Sequence, residues 1–252
     1  MTARHHLLIL ALPIVLSAPV FAGTPGSGWD VTLETGPAWF SRNDVRIPND
    51  EEGDRFDVTE LTGNGPVRSM RLGLEYGWGE RHAATALFAP FRASGSSALK
   101  DDVRFKGETF TGGESLKATY KFNTYRLGYR YSVHETEDWR LRVGGSLLVR
   151  DADVRLSQGN TTADDPDLGF VPLLAFEATR YFNSRWSLAF DVEGLGAPQG
   201  RAIDAALALQ YRWDEALTVR LGYRTLEGGA DNDSVYTFAW VHYGLAGLRY
   251  AF

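Results

Sequence analysis

The chain has 252 residues, a formal net charge of −6 and no cysteine. That excludes disulfide, iron–sulfur and thiol chemistry and a cysteine-borne lipid anchor, and argues against nucleic acid as a partner. A hydrophobic content of 44% is too low for a bundle of membrane helices but not for a membrane barrel, in which polar residues alternate with apolar ones.

Arg4, His5 and His6 precede the apolar run LLILALPIVLSAPVFA, with Val20 and Ala22 as small residues at its end. A basic start, a short apolar centre and small closing residues describe a secretory signal peptide cleaved after Ala22. An uncleaved helical anchor is the alternative, disfavoured by the short run and by Pro13 and Pro19. Residues 1–22 then form the export signal, and residues 23–252 a single exported domain.

No helical periodicity of useful length follows. In RWSLAFDVEGLG (185–196), Trp186, Leu188, Phe190 and Val192 alternate with Ser187, Ala189, Asp191 and Glu193, the period of a strand with two unlike faces. Segments of this kind lie near 29–40, 67–78, 82–93, 116–133, 139–156, 170–182, 186–195, 201–213, 217–226 and 235–252. The count is ten, with eight or twelve as the neighbouring values. Connections at 79–81, 134–138, 183–185 and 214–216 are short. The intervening ones are long and polar at 41–66, 94–115 and 157–169 and shorter at 196–200 and 227–234.

Short turns at one end and long loops at the other are the asymmetry of an up-and-down antiparallel barrel that crosses an outer membrane. A soluble β-sandwich is the alternative fold. Tryptophan placement agrees with the barrel. Trp29, Trp78, Trp139, Trp186 and Trp213 fall at the short-turn end, and Trp39 and Trp240 at the other, as two interfacial girdles require.

Two segments break parity. In KATYKFNTYRLGYRY the apolar set moves from Ala118, Tyr120 and Phe122 to Tyr125, Leu127 and Tyr129. In LRVGGSLLVRDADVRL it moves from Leu141, Val143 and Leu147 to Ala152, Val154 and Leu156. One extra residue near Asn123–Thr124 and another near Arg150–Asp151 repair both, so a β-bulge is expected at each. The recurring RLGLEYGW, RLGYRY and RLGYRT pair an inward glycine with outward aromatics, a recipe for a crowded curved sheet.

The chain ends in LRYAF. With its signal peptide and alternating strands, it resembles the bacterial outer-membrane β-barrel superfamily, whose last strand closes on an aromatic residue preceded by apolar residues at every second position. Leu248, Tyr250 and Phe252 match that pattern. The resemblance implies residence in the outer membrane of a Gram-negative bacterium, recognition by the barrel assembly machinery and contact with outer-membrane lipids and lipopolysaccharide.

Parity assigns an inward set rich in both signs: Arg71, Glu75, Arg126, Arg130, Arg150, Glu177, Asp191, Glu193, Asp204, Arg220 and Arg224. A narrow barrel punishes unpaired charge, so cross-lumen arginine–carboxylate pairs are expected, with Asp191 and Glu193 meeting Arg150 or Arg224. Three roles fit a monomer of this kind: a salt-bridged barrel that anchors and displays loops, a narrow channel for ions or small solutes, and an enzyme acting on lipid or peptide at the outer rim. For the last, His82 and His134 lie at short turns and only His242 is high enough, with lipid-facing parity. HYG lacks the serine two residues on that a resemblance to a lipid A deacylase needs, and an omptin-like acid pair is missing. No catalytic residue, metal set or cofactor is therefore assigned. The acidic loops, such as NDEEGDRFDVTE (49–60), lack EF-hand spacing. They read as solvated and lipopolysaccharide-facing, with a divalent cation or a small solute as a further loop partner.

Overall fold

A computed structural model describes residues 27–252, so the expected signal peptide and its expected cleavage after Ala22 lie outside the described residues. Ten long strands follow one another: β1 (Gly28–Arg46), β2 (Val67–Trp78), β3 (His82–Ala89, continued by Arg92–Ser97), β4 (Leu116–Glu135), β5 (Trp139–Gln158), β6 (Thr161–Tyr181), β7 (Trp186–Ala197), β8 (Gly200–Arg212), β9 (Leu217–Asp231) and β10 (Tyr236–Ala251). Each pairs antiparallel with its sequence neighbours, and β10 returns to pair with β1, so the sheet closes on itself without a free edge. Phe252 completes the closure by donating its backbone N–H to Trp29 O at 2.8 Å.

The outer wall is apolar because every second residue is. Met70, Leu72 and Leu74 on β2, Leu127 on β4, Leu174 on β6, Leu207 and Leu209 on β8 and Leu221 on β9 are all exposed. Rings gather at the short-turn end, where Trp29 meets Tyr76 at 4.6 Å, Trp186 meets Tyr211 at 4.8 Å and Tyr250 meets Phe252 at 4.9 Å between centroids. Trp78, Trp139 and Trp213 stand exposed at the same end, and Trp39 and Trp240 at the opposite one.

Two expectations need correction. The β4 strand keeps one register against both parts of β3 and against β5 through residues 117–132, and its one shift lies between Ser132 and His134. There is no bulge near Asn123–Thr124 or near Arg150–Asp151. Ala118, Tyr120, Val154 and Leu156 face inward on the same side as Arg126 and Arg142, and they are buried. The apolar set changes face because the interior changes character, polar at one end and apolar at the other.

Nor is 157–169 a loop. The β5 and β6 strands stay paired to Gln158 and Thr161, so a long two-stranded hairpin turns on Gly159-Asn160. Gly159 has φ +56°, the left-handed conformation such two-residue turns demand.

The apolar end is filled from wall and loops together. From the wall come Ala38, Phe40, Val45, Phe91, Tyr120, Leu156, Val241 and Tyr243; from the loops come Ile47, Phe56, Val58, Leu61, Leu99, Phe105 and Phe110. Phe40 contacts Phe91 and Tyr120, each at 5.6 Å, and Phe91 meets Tyr243 edge-on at 5.9 Å. A one-turn helix α1 (Thr59–Thr62), started by the Asp57 carboxylate accepting the Thr59 N–H at 2.9 Å, sets Leu61 into this core. The hairpin of Val103–Phe105 and Glu108–Phe110 covers it, with Phe105 and Phe110 fully buried. The cover is tied down by Lys106 N–H to Ile47 O at 2.9 Å, by the Arg104–Asp54 pair at 2.7 Å and by Lys106–Asp165 at 2.9 Å.

Candidate functional site

Below the apolar core, toward the short turns, inward side chains from eight of the ten strands form one ionic network. Asp204 on β8 is the most enclosed acid and accepts from Arg224 at 2.6 Å, Arg71 at 2.9 Å and Arg126 at 3.2 Å. Glu34 on β1 meets Arg220 at 2.9 Å, Arg224 at 3.1 Å and Arg71 at 3.8 Å. Glu193 is bonded by Arg130 and Ser146 and lies 3.3 Å from Arg126. Glu177 accepts from Arg130 and from Arg142 Nε, each at 2.8 Å, and Arg142 reaches on to Glu75 at 2.7 Å. Asp191 meets Arg220 at 3.3 Å. Arg249 and Asp30 add a pair at 2.7 Å nearest the short turns.

This answers why Asp191 and Glu193 share a face, with different partners from those expected: Arg220 for one, Arg126 and Arg130 for the other. Arg224 serves Asp204 and Glu34 instead. Arg150 sits higher on β5, beyond buried Leu148, and pairs with Asp167 of the β5–β6 hairpin. Every other inward residue of the sequence reading enters the network. Sequence reasoning missed Asp30, Glu34 and Arg249, although each sits between outward residues: Trp29 and Val31 flank Asp30, Leu33 and Thr35 flank Glu34, and Leu248 and Tyr250 flank Arg249.

An inward glycine makes room for a guanidinium. A Cβ on Gly128 would stand 2.6 Å from Thr85 Oγ1 and 3.0 Å from Arg130 Nη1. Between the charged side chains remains a polar cavity of about 180 Å³, continued toward the short turns by another of about 190 Å³ that reaches Asn183, Arg185 and Glu215 in the turns. That continuation opens toward the short turns, while the aromatic core stands across the other end.

On the outer wall, His242 of β10 faces outward, as its parity requires. Its Nε2 lies 2.9 Å from Ser41 Oγ of β1 and its Nδ1 2.5 Å from the Tyr223 hydroxyl of β9. Sequence reading looked for a serine near His242 in the chain, whereas this one lies 201 residues away and arrives through barrel closure. The strand β1 also carries a real bulge there, between Phe40 and Arg42. It turns two successive residues, Ser41 and Arg42, to the outer surface between inward Phe40 and inward Asn43.

Two acids at the loop end are held by arginines. Asp44 meets Arg42 at 2.8 Å and Arg55 at 2.5 Å, and Asp54 is held by Arg104. Among the described residues no group of three or more acidic or histidine side chains converges as a metal site.

No family model matches the sequence, and no curated protein matches it. Solved structures do. The outer-membrane protease OmpT of Escherichia coli aligns over 89% of this chain and 97% of its own, with a TM-score of 0.52 at 10% identity. The attachment invasion locus protein Ail of Yersinia pestis aligns over 89% and 99%, with a TM-score of 0.40 at 14% identity. The neisserial surface protein NspA aligns over 90% and 99%, with a TM-score of 0.37 at 10% identity. The molecule thus has the fold of the bacterial outer-membrane β-barrels. Within that class it is a closed antiparallel barrel of ten strands, and at these identities the likeness extends to fold alone.

Proposed function

We propose that this protein is a monomeric integral barrel of the Gram-negative outer membrane that conducts no solute and works through its outer surface. One observation carries the reading: the aromatic and aliphatic core that spans the bore from Phe40 to Tyr243 beneath the Phe105–Phe110 hairpin. A pore needs a wetted path, and packed aromatic side chains leave none. The ionic network below stiffens the wall, its carboxylates and guanidiniums satisfying each other where neither is fully hydrated. The exposed aliphatic rows and two girdles suit a lipid environment, and Phe252 with its alternating neighbours suits recognition by the barrel assembly machinery. The hairpins and loops at the core end then face outward, against lipopolysaccharide.

The test is single-channel recording from residues 23–252 refolded into a planar bilayer, beside Asp191→Ala/Glu193→Ala. A silent wild type is the expected result. Steady unit conductance in the wild type, altered in ion selectivity by the double variant, overturns the reading and makes those acids a filter.

A further inference from the structure

We propose that Ser41 and His242 are the nucleophile and general base of a lipid esterase site on the outer wall, positioned by Tyr223, that opens acyl esters of anionic outer-leaflet lipids. The site stands outside the barrel, so it does not depend on whether the bore conducts.

The imidazole is fixed on several sides. Tyr223 stacks on it at 6.0 Å and 23°, and Trp240 lies 5.3 Å away, itself anchored by its indole N–H donating to Thr225 Oγ1 at 2.7 Å. With Nδ1 protonated and donating to the Tyr223 oxygen, Nε2 is left to accept the Ser41 hydroxyl proton across 2.9 Å, the reach a general base requires. The other acceptor near that hydroxyl, Trp240 O at 3.5 Å, is too distant to compete.

A second histidine separates architecture from chemistry. At the opposite rim His82 stacks on Trp78 at 5.6 Å, with Nδ1 2.7 Å from the Tyr129 hydroxyl. That repeats the Trp–His–Tyr cluster within a girdle, with no serine hydrogen bond to the ring. What the outer rim adds is Ser41, exposed two residues on from outward Trp39, with a bulge that brings Arg42 to the same outer face beside it.

Position names the substrate. Trp29 and Trp39 lie ten residues apart on β1 at the two girdles, about 25 Å along the membrane normal for a tilted strand. Ser41 and His242 therefore stand where acyl chains join headgroups. On the loop side of them, away from the apolar wall, Arg42 and Arg201 each lie over Phe238, at 5.1 and 5.3 Å, and Arg55 lies over Tyr236 at 4.4 Å. Asp44 pairs with Arg42 and Arg55, and Glu227 with Arg201, so the guanidiniums are held at the surface, where a lipid phosphate can take the place of a carboxylate.

In the reaction Ser41 Oγ forms a bond to the ester carbonyl carbon while its proton passes to His242 Nε2. The carbon–oxygen bond to the lipid alcohol then breaks, and that oxygen takes the proton from Nε2. Water, deprotonated by His242, attacks the acyl-serine, releasing free fatty acid and restoring the hydroxyl.

The full mature chain, reconstituted in vesicles containing lipopolysaccharide, is assayed for released fatty acid. A fluorophosphonate reporter tests Ser41 directly. Release is expected from the wild type, reduced by about 10²–10⁴-fold in Ser41→Ala and His242→Ala and unchanged in His82→Ala. Tyr223→Phe is expected to displace the pH–rate profile, which a merely structural tyrosine does not do. Arg42→Gln/Arg201→Gln lowers turnover of lipopolysaccharide relative to a neutral diacylglycerol. Heat-modifiable gel mobility verifies that every variant closes. No release above protein-free vesicles, or wild-type release and labelling in a closed Ser41→Ala barrel, overturns the proposal.

Discussion

Above Tyr120 and Tyr243 the bore is filled by carbon; below them it is filled by six arginines and six carboxylates in mutual contact, with the Arg249–Asp30 pair beneath. The strands are the same and the width is the same, but the available side chains differ. At the upper end loops fold back and bring Phe56, Leu61, Phe105 and Phe110 to the axis, so apolar groups from wall and cover touch. At the lower end the turns are too short to fold inward. Only wall residues can fill that space, and valine or leucine would not reach across. Arginine does, and its fork ends on carboxylates of neighbouring strands, as in Arg224–Asp204, and across the bore, as in Arg71–Asp204. Buried ion pairs of this kind span distance and fix register more than they add stability.

The contrast can be broken from either end. Asp204→Ala has the largest expected effect, because it leaves the guanidiniums of Arg71, Arg126 and Arg224 around an empty position. It should cost about 3–5 kcal/mol in urea unfolding from vesicles, with Asp204→Asn costing less. In the apolar half, Leu61→Ala should cost about 2–3 kcal/mol, because a loop-borne side chain leaves a site that partly collapses. That loss should not vary with ionic strength.

The smallest effect belongs to the cover. Arg104 donates through Nε, Nη2 and its backbone N–H to Asp54 and holds that carboxyl down to about 2 from an ordinary 3.8. A depressed carboxyl stabilises the folded state above pH 3.8, and that contribution disappears as pH falls toward 2. Both side chains are about a third to a half exposed, so solvent screening leaves only a small part of that contribution. Arg104→Ala should slightly flatten the acid limb of the stability–pH curve between those values.

Strand number, rims and inward charge were legible because they follow from alternation, which each strand displays in itself. What the chain hid depends on where strands end up relative to one another. Tyr120 and Val154 read as out of phase because lipid and core are equally apolar; a hydrophobic residue says that it avoids water, not which side of the wall it takes. Reading β5–β6 as a loop had the same origin, since the acids of ADDPD suit a protruding hairpin as well as a coil. Glu34 and the outward face of Ser41 were within reach of parity, whereas the pairing of Ser41 with His242 was not: it rests on a neighbour that alternation cannot supply.

The line where β1 meets β10 joins the first strand made to the last. Ser41 lies on one side of it, His242 and Tyr223 on the other, so they become neighbours only when the cylinder seals. Until then the travelling chain holds a serine and a histidine at opposite ends and no pair between them. On the esterase reading proposed above, competence arises only with closure of the cylinder, and an unsealed chain is unable to act.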